Sequence, residues 1–309
     1  EWLAIAEEAR KAGMVFLLLT GGEPLLRPDF PELLHALKNM GFLVSVNSNG
    51  SLLRGELLEA VKRDPPLRFN ITLYGGSNAA YERLCGRAMF QEVVDNLRAL
   101  KDAGIPVRLN VSVTPDNKDD VPEIFRLARD LGLHAKASTY MYPPVRLDDG
   151  RPGDAPHRFA PEDAARYMLL CREQQFTLEE LRASAAGVPL SDGDECTGNA
   201  EGEPVLCRAG HSSFWLTWDG RMIPCGMMAS PGTPVMEQGF SAAWRSVQTE
   251  VEAIRLPAAC AGCALRRHCN LCAASCFAET GDYDRKPDYI CSLTHTLCRI
   301  TREKYGTED

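Results

Sequence analysis

The first half of the chain switches repeatedly between two hydrophobic periods. Apolar runs rich in β-branched residues cover residues 14–20, 42–47, 68–73, 106–113 and 134–140, while 30–40, 78–103 and 121–131 place apolar residues at helical spacing. Residues 1–12 read as the helix that follows a still earlier strand. Near-continuous hydrophobicity in the runs predicts strands covered on both faces, as in the parallel sheets of α/β proteins. Five strands alternating with helices point to an incomplete or open parallel barrel; a doubly wound sheet would require a strand order that no residue pattern announces.

Between residues 142 and 153 the pattern changes to Pro143-Pro144, Asp148-Asp149-Gly150 and Arg151-Pro152-Gly153, a turn-rich connection. Residues 161–185 are then helical, and the irregular stretch 187–204 leads into a cysteine-rich region. The expected division is a barrel-like domain over 1–150, a helical linker over 151–195 and a small Cys-rich domain over 196–309. No repeat or low-complexity tract interrupts this plan.

Composition narrows the chemistry. The 309 residues are 45% hydrophobic, enough for one large core and an appendage. A net charge of -8 with basic and acidic residues intermixed argues against nucleic acid as a partner. No apolar run is long enough to span a membrane. The chain starts at Glu1, not Met, and is expected to be an internal piece of a longer protein. Of twelve cysteines, all but Cys85 and Cys171 crowd between residues 196 and 298. A disulfide framework suits small secreted domains, so metal ligation in a reducing cytoplasm is the preferred reading.

Candidate binding groups gather at strand ends, where α/β folds place their ligands. These are Gly21-Gly22-Glu23-Pro24, then Asn47-Ser48-Asn49-Gly50, then Thr72-Leu73-Tyr74-Gly75-Gly76, and finally Asn110, Ser112 and Asn117. Paired glycines let a ligand approach bare backbone, and Glu23 could meet a cation such as an ammonium. Each stretch alone also reads as a strand-exit turn. The usual phosphate-cradling motifs are absent.

The cysteines read by spacing. Cys207 and Cys225 bracket a hairpin signal, residues 214–223 with Asp219-Gly220 at the turn, which would bring the two thiols together. Cys260 and Cys263, and again Cys269 and Cys272, are CxxC pairs, followed by Cys276 and Cys291. Paired CxxC motifs signal zinc or an iron–sulfur cluster. A single four-cysteine zinc site would leave much of the set unused, so two cubane clusters fit the count better.

With these residues the chain resembles the radical S-adenosylmethionine (SAM) enzymes. Leu19-Thr20-Gly21-Gly22-Glu23-Pro24, followed by Leu25-Leu26-Arg27-Pro28-Asp29-Phe30, is similar to their second-strand motif, and Ile71-Thr72-Leu73-Tyr74-Gly75 to their fourth-strand segment. The tail resembles a SPASM domain: Cys207, twelve residues, Gly220, four residues, Cys225, then Cys260, Cys263, Cys269 and Cys291. The resemblance spans essentially the whole chain and implies a partial (β/α)6 TIM-like barrel with auxiliary [4Fe–4S] clusters in the Cys-rich domain. It implies that Gly21, Gly22, Glu23 and Pro24 hold the amino group of SAM, with Thr72, Ser48 and Asn49 near the ribose and Asn110 as a further contact. It assigns Cys260, Cys263, Cys269 and Cys291 to one auxiliary cluster. Cys207, Cys225 and either Cys272 or Cys276 would hold the other, with Cys196 the candidate fourth ligand; Cys272 is preferred for its CxxC geometry and Cys276 is the alternate.

The family pattern is broken in three places. The cysteine expected after Cys269 and three intervening residues is replaced by Ala273, with Cys272 and Cys276 nearby instead, and Tyr74 stands where an acid is often found. The CxxxCxxC that binds the catalytic cluster is absent and is expected upstream of Glu1. The implied activity is reductive cleavage of SAM to a 5′-deoxyadenosyl radical that modifies a peptide or protein side chain, by crosslink, thioether or oxidation. A reducing donor such as flavodoxin or ferredoxin, and the cytoplasm of an anaerobic organism, go with it. Two other readings are an inactive peptide-binding module with structural zinc and a disulfide-stapled extracellular protein.

Overall fold

The computed structural model describes residues 1–143, 152–153, 155, 157–190, 205 and 207–306. The chain divides into two compact units, Glu1–Ser138 and Thr139–Asp309.

The first unit runs α1 (Trp2–Lys11), β1 (Phe16–Leu19), α2 (Phe30–Asn39), β2 (Leu43–Ser48), α3 (Gly55–Arg63), β3 (Arg68–Leu73), α4 (Asn78–Cys85), α5 (Phe90–Asp102), β4 (Val107–Ser112), α6 (Val121–Leu131) and β5 (His134–Ser138). The strands form one parallel sheet in the order β1-β2-β3-β4-β5. Each strand pairs with its successor, so the order never reverses as it would in a doubly wound sheet. This is the α/β partial-barrel architecture expected from the sequence.

The strands are not covered alike on both faces, which corrects one expectation. Arg68-Phe69-Asn70-Ile71-Thr72-Leu73 alternates strictly, and only Phe69, Ile71 and Leu73 are fully buried, with Val44, Val46, Leu109 and Val111 on the same face. That face carries the helix-side core, and burying each such side chain stabilises by about 1.5–3 kcal/mol. The opposite face is polar in register rows: Asn47 beside Asn70 beside Arg108, and Thr72 beside Asn110 beside Lys136. At β1 this face shows Phe16, which is 69% exposed.

Helix boundaries follow local chemistry. The helix expected over 78–103 breaks after α4, where Gly86 takes a left-handed C-cap (φ 69°). α3 has no extended apolar stripe at helical spacing: its single buried residue, Val61, sits among charged neighbours.

The second unit contains α7 (Pro161–Gln175), α8 (Leu178–Ala185), β6 (Trp215–Leu216), β7 (Arg221–Ile223), β8 (Thr233–Pro234), α9 (Val235–Gln238), α10 (Phe240–Ala253), α11 (Ala273–Thr280) and α12 (Asp288–Tyr305). The helix expected over 161–185 is interrupted by Thr177, whose hydroxyl accepts from the Glu180 amide while Glu180 answers at the Thr177 amide. α7 packs on α12 through Ala165, Leu169 and Leu297. The expected hairpin forms, Trp215 opposite Ile223, and β8 adds a third antiparallel strand. Trp218 is 81% exposed at the turn. Among the described residues no helix is long and apolar enough to cross a membrane.

Asn117 is buried between strand ends: its Oδ1 accepts from the Thr114 amide (2.8 Å), and its Nδ2 donates to the Tyr74 and Ser112 carbonyls (both 2.9 Å). Asn117→Ala orphans these groups and is expected to lower unfolding stability by about 3 kcal/mol, read as a lower urea midpoint. Burial in α7 pushes the Cys171 thiol from 9.0 up to about 12. The folded chain then keeps a proton that the unfolded chain sheds. This thiol's contribution is therefore full below about pH 9 and is lost as pH rises toward about 12. The fall in urea midpoint between about pH 8 and about pH 10 is expected to be smaller in Cys171→Ala.

Candidate functional site

The carboxyl ends of β1 and β2 are tied together by one carboxylate. Glu23 precedes the 3₁₀ turn Pro24–Leu26, and its Oε1 accepts from the Leu25 amide (3.1 Å) and the Ser48 hydroxyl (2.9 Å). Its Oε2 accepts from the Asn49 amide (2.7 Å). The Gly50 amide donates to Ser48 Oγ, Asn49 Oδ1 accepts from the Ser51 amide and hydroxyl, and Asn96 Nδ2 donates to the Gly50 carbonyl. Glu23, Ser48 and Asn49 are thus brought together, and much of their hydrogen bonding shapes the two turns themselves. A carboxylate has about four lone-pair sites, so Glu23 retains room for one further donor. Gly21 (φ 148°) and Gly22 are exposed, and a Cβ built on either meets nothing within 4 Å: the backbone here is bare and approachable.

Thr72 and Asn110 are cross-strand neighbours on the polar sheet face. In the next row, Asn70 Nδ2 donates to Asn47 Oδ1 (2.8 Å). Arg108 and Lys136 share this face and were missed in the sequence, although the alternation of β4 and β5 carries the signal.

In the second unit, Cys260, Cys263, Cys269 and Cys291 line one cavity together with Arg266, Lys286 and His295. Successive tight turns bring the first three together: the Cys263 amide donates to the Cys260 carbonyl, Arg266 to Cys263 and Cys269 to Arg266. Cys291 comes from the first turn of α12. Burial pushes the Cys260 and Cys269 thiols up, and the Thr294 hydroxyl and the Leu271 amide offset this at Cys269. The Arg266 Nε and Nη2 atoms are buried without a hydrogen-bond partner.

A second set lies around Cys225, whose thiol is raised by burial and further by the neighbouring Cys272 and Cys207. Cys225 Sγ accepts from the Met227 amide, and Cys272, the N-cap of α11, accepts from the Ser275 amide, both at 3.4 Å. The Tyr142 hydroxyl is 3.9 Å from Cys272 Sγ. Cys276 is fully buried, and burial raises its thiol strongly, with further raising from Cys272, Cys260 and Cys269. Cys196 lies outside the described residues. No disulfide joins the described cysteines, and no three His, Cys, Asp or Glu side chains among the described residues are grouped to hold a single metal ion. Thiols spread round a cavity with an unsatisfied guanidinium suit a polynuclear anionic group.

Residues 1–128 match the radical SAM superfamily. The first unit is a radical SAM domain. An AdoMet-dependent heme synthase of Methanosarcina barkeri is 25% identical over 297 residues, 92% of this chain and 84% of the relative. A probable GTP 3',8-cyclase of Saccharolobus solfataricus is 34% identical over 134 residues, 43% of each chain. Among solved structures, Streptococcus suis SuiB bound to its precursor peptide SuiA superposes with a TM-score of 0.68 at 15% identity, covering 94% of this chain and 68% of SuiB. The enzyme anSMEcpe with bound AdoMet and Kp18Cys peptide gives 0.70 at 14% identity, covering 98% and 89%. These two establish the fold of the radical SAM domain and its Cys-rich companion.

In Glu23→Gln an amide nitrogen faces a backbone or hydroxyl donor of the β2 turn. The Asn49 amide is expected to exchange with solvent about tenfold faster, corresponding to about 1.4 kcal/mol of lost local stability, measured by hydrogen exchange.

Proposed function

We propose that the protein is a radical SAM maturase that modifies a peptide or protein side chain. In this reading residues 1–150 bind SAM, 151–195 link, and 196–309 form a SPASM domain with two auxiliary [4Fe–4S] clusters. The observation that carries it is the gathering of Cys260, Cys263, Cys269 and Cys291 round one cavity, in a chain that also has a radical SAM domain. The peptides in the SuiB and anSMEcpe structures support a peptide substrate.

A bound catalytic cluster would supply the electron that cleaves SAM, and this chain contains no CxxxCxxC to hold it. The chain's own part is recognition and positioning. Gly21 and Gly22 offer bare amide and carbonyl groups, and the remaining acceptor site on Glu23 suits an ammonium donor. Pro24 starts the turn that orients Glu23, and Ser48 and Asn49 hold its carboxylate. Thr72 and Asn110, flanked by Lys136, offer hydroxyl, amide and cationic groups to the sugar and carboxylate of SAM. Cys207, Cys225, Cys272 and Cys196 would hold the second cluster, with Cys276 as the alternate ligand. A flavodoxin or ferredoxin supplies electrons in the cytoplasm of an anaerobe.

A second reading, a tetrapyrrole-modifying enzyme, is favoured by the near full-length similarity to a heme synthase. Anaerobic incubation with SAM and a reductant, with either candidate peptides or porphyrins, separates the two: the substrate class that gains or loses mass while 5′-deoxyadenosine is released is the right one. The anaerobically purified protein is expected to carry about eight auxiliary irons, and Cys269→Ser and Cys225→Ser about four fewer each. Zinc in place of iron would sink this reading.

A further inference from the structure

The cavity of the four cysteines contains a cation whose hydrogen bonds the protein leaves unused. Arg266 opens the 3₁₀ turn Arg266–His268, between Cys263 and Cys269. Its Nη1 donates to the Cys269 carbonyl (3.1 Å), which fixes the plane of the guanidinium. Its Nε and Nη2 are buried and meet no acceptor among the described residues. A buried donor left unmet is costly, more so when charged, and no carboxylate lines this cavity. None of the lining sulfurs accepts from Nε or Nη2, although the Arg266 charge acts on the Cys260 and Cys269 thiols.

The inference rests on the cluster reading above. We propose that Arg266 is the positioning residue of the auxiliary cluster held by Cys260, Cys263, Cys269 and Cys291, donating from Nε and Nη2 to cluster sulfur and raising its reduction potential. One electron from the reductant takes a four-thiolate [4Fe–4S] centre from a charge of about −2 to about −3. A fixed cation binds the more negative state better, so it favours reduction, and hydrogen bonds to sulfur act the same way. The other two basic residues on the wall are less suited. His295 is exposed, and Lys286, which interacts with Cys291 and with Asp288 (3.6 Å), is 44% exposed, so solvent screens both.

The test is an EPR-monitored potentiometric titration of the anaerobically reconstituted full chain against Arg266→Gln and Arg266→Lys, with iron counted in each. In Arg266→Gln one of the two auxiliary midpoints is expected to move to a more negative potential while the other stays. Arg266→Lys, which keeps the charge but not the fork, moves the same midpoint by less. If the glutamine variant loses iron, retention in the lysine variant with that smaller shift supports the proposal. Equal midpoints with full iron in all three proteins would overturn it. Loss of iron in both variants would also overturn it, since Arg266 would then merely brace the loop through the Cys269 carbonyl. A wild-type protein with no cluster signal would remove the cluster reading itself, before any variant is compared.

Discussion

The bonds that converge on Glu23 set the geometry of the first unit's edge of carboxyl-terminal strand ends. Five parallel strands laid down in chain order deliver every carboxyl end to the same edge of the sheet. Strand ends collected in this way are only loops until something fixes them relative to one another. The Glu23 carboxylate accepts from its own turn and from two groups at the end of β2. Asn117 does the corresponding work between the ends of β3 and β4. Each tie consumes polar groups that look like binding residues, and what it leaves open is the bare Gly21-Gly22 backbone and one face of polar side chains.

The second unit solves a different problem, holding many thiols close without joining them. Short turns separate Cys260, Cys263 and Cys269, while Cys291 and Cys272 stand at the starts of helices. Burial raises the Cys225 thiol, and the Met227 amide aimed at its sulfur only partly offsets this. A thiol so balanced stays protonated until a cation replaces the proton.

Much of this was legible before any coordinates. The strands came from β-branched runs, the bare turns at their ends from Gly-Gly and Asn-Gly, and the gathering of four cysteines round one cavity from spacing in a resembling family. The polar sheet face was misjudged because a run such as Arg68 to Leu73 was read as continuous when it alternates strictly. The roles of Glu23 and Asn117 as ties depend on bonds spanning 26 and 43 residues, which no local pattern encodes. Arg266 was invisible for a further reason: an arginine in a basic turn looks like any solvated residue until its nitrogens are seen to lack partners. Gly86 and Thr177, by contrast, are ordinary helix punctuation carried by the local sequence.

The short helix α11 joins two features described separately. Cys272 caps its start, and Glu279, near its end, accepts from Arg158 (2.7 Å) and from the Tyr140 hydroxyl (2.7 Å) in a pair whose side chains are only 14% and 5% exposed. Arg158 also lies 4.0 Å over the ring of Tyr289. Breaking such a pair typically costs about 3–5 kcal/mol, so one end of an eight-residue rod is anchored. At 1.5 Å per residue the rod is about 12 Å long, and it carries the Cys272 sulfur at its far tip like the jaw of a fixed caliper. The span of the caliper belongs to the polypeptide, so whatever seats itself against that sulfur is measured for size by an ion pair it never touches.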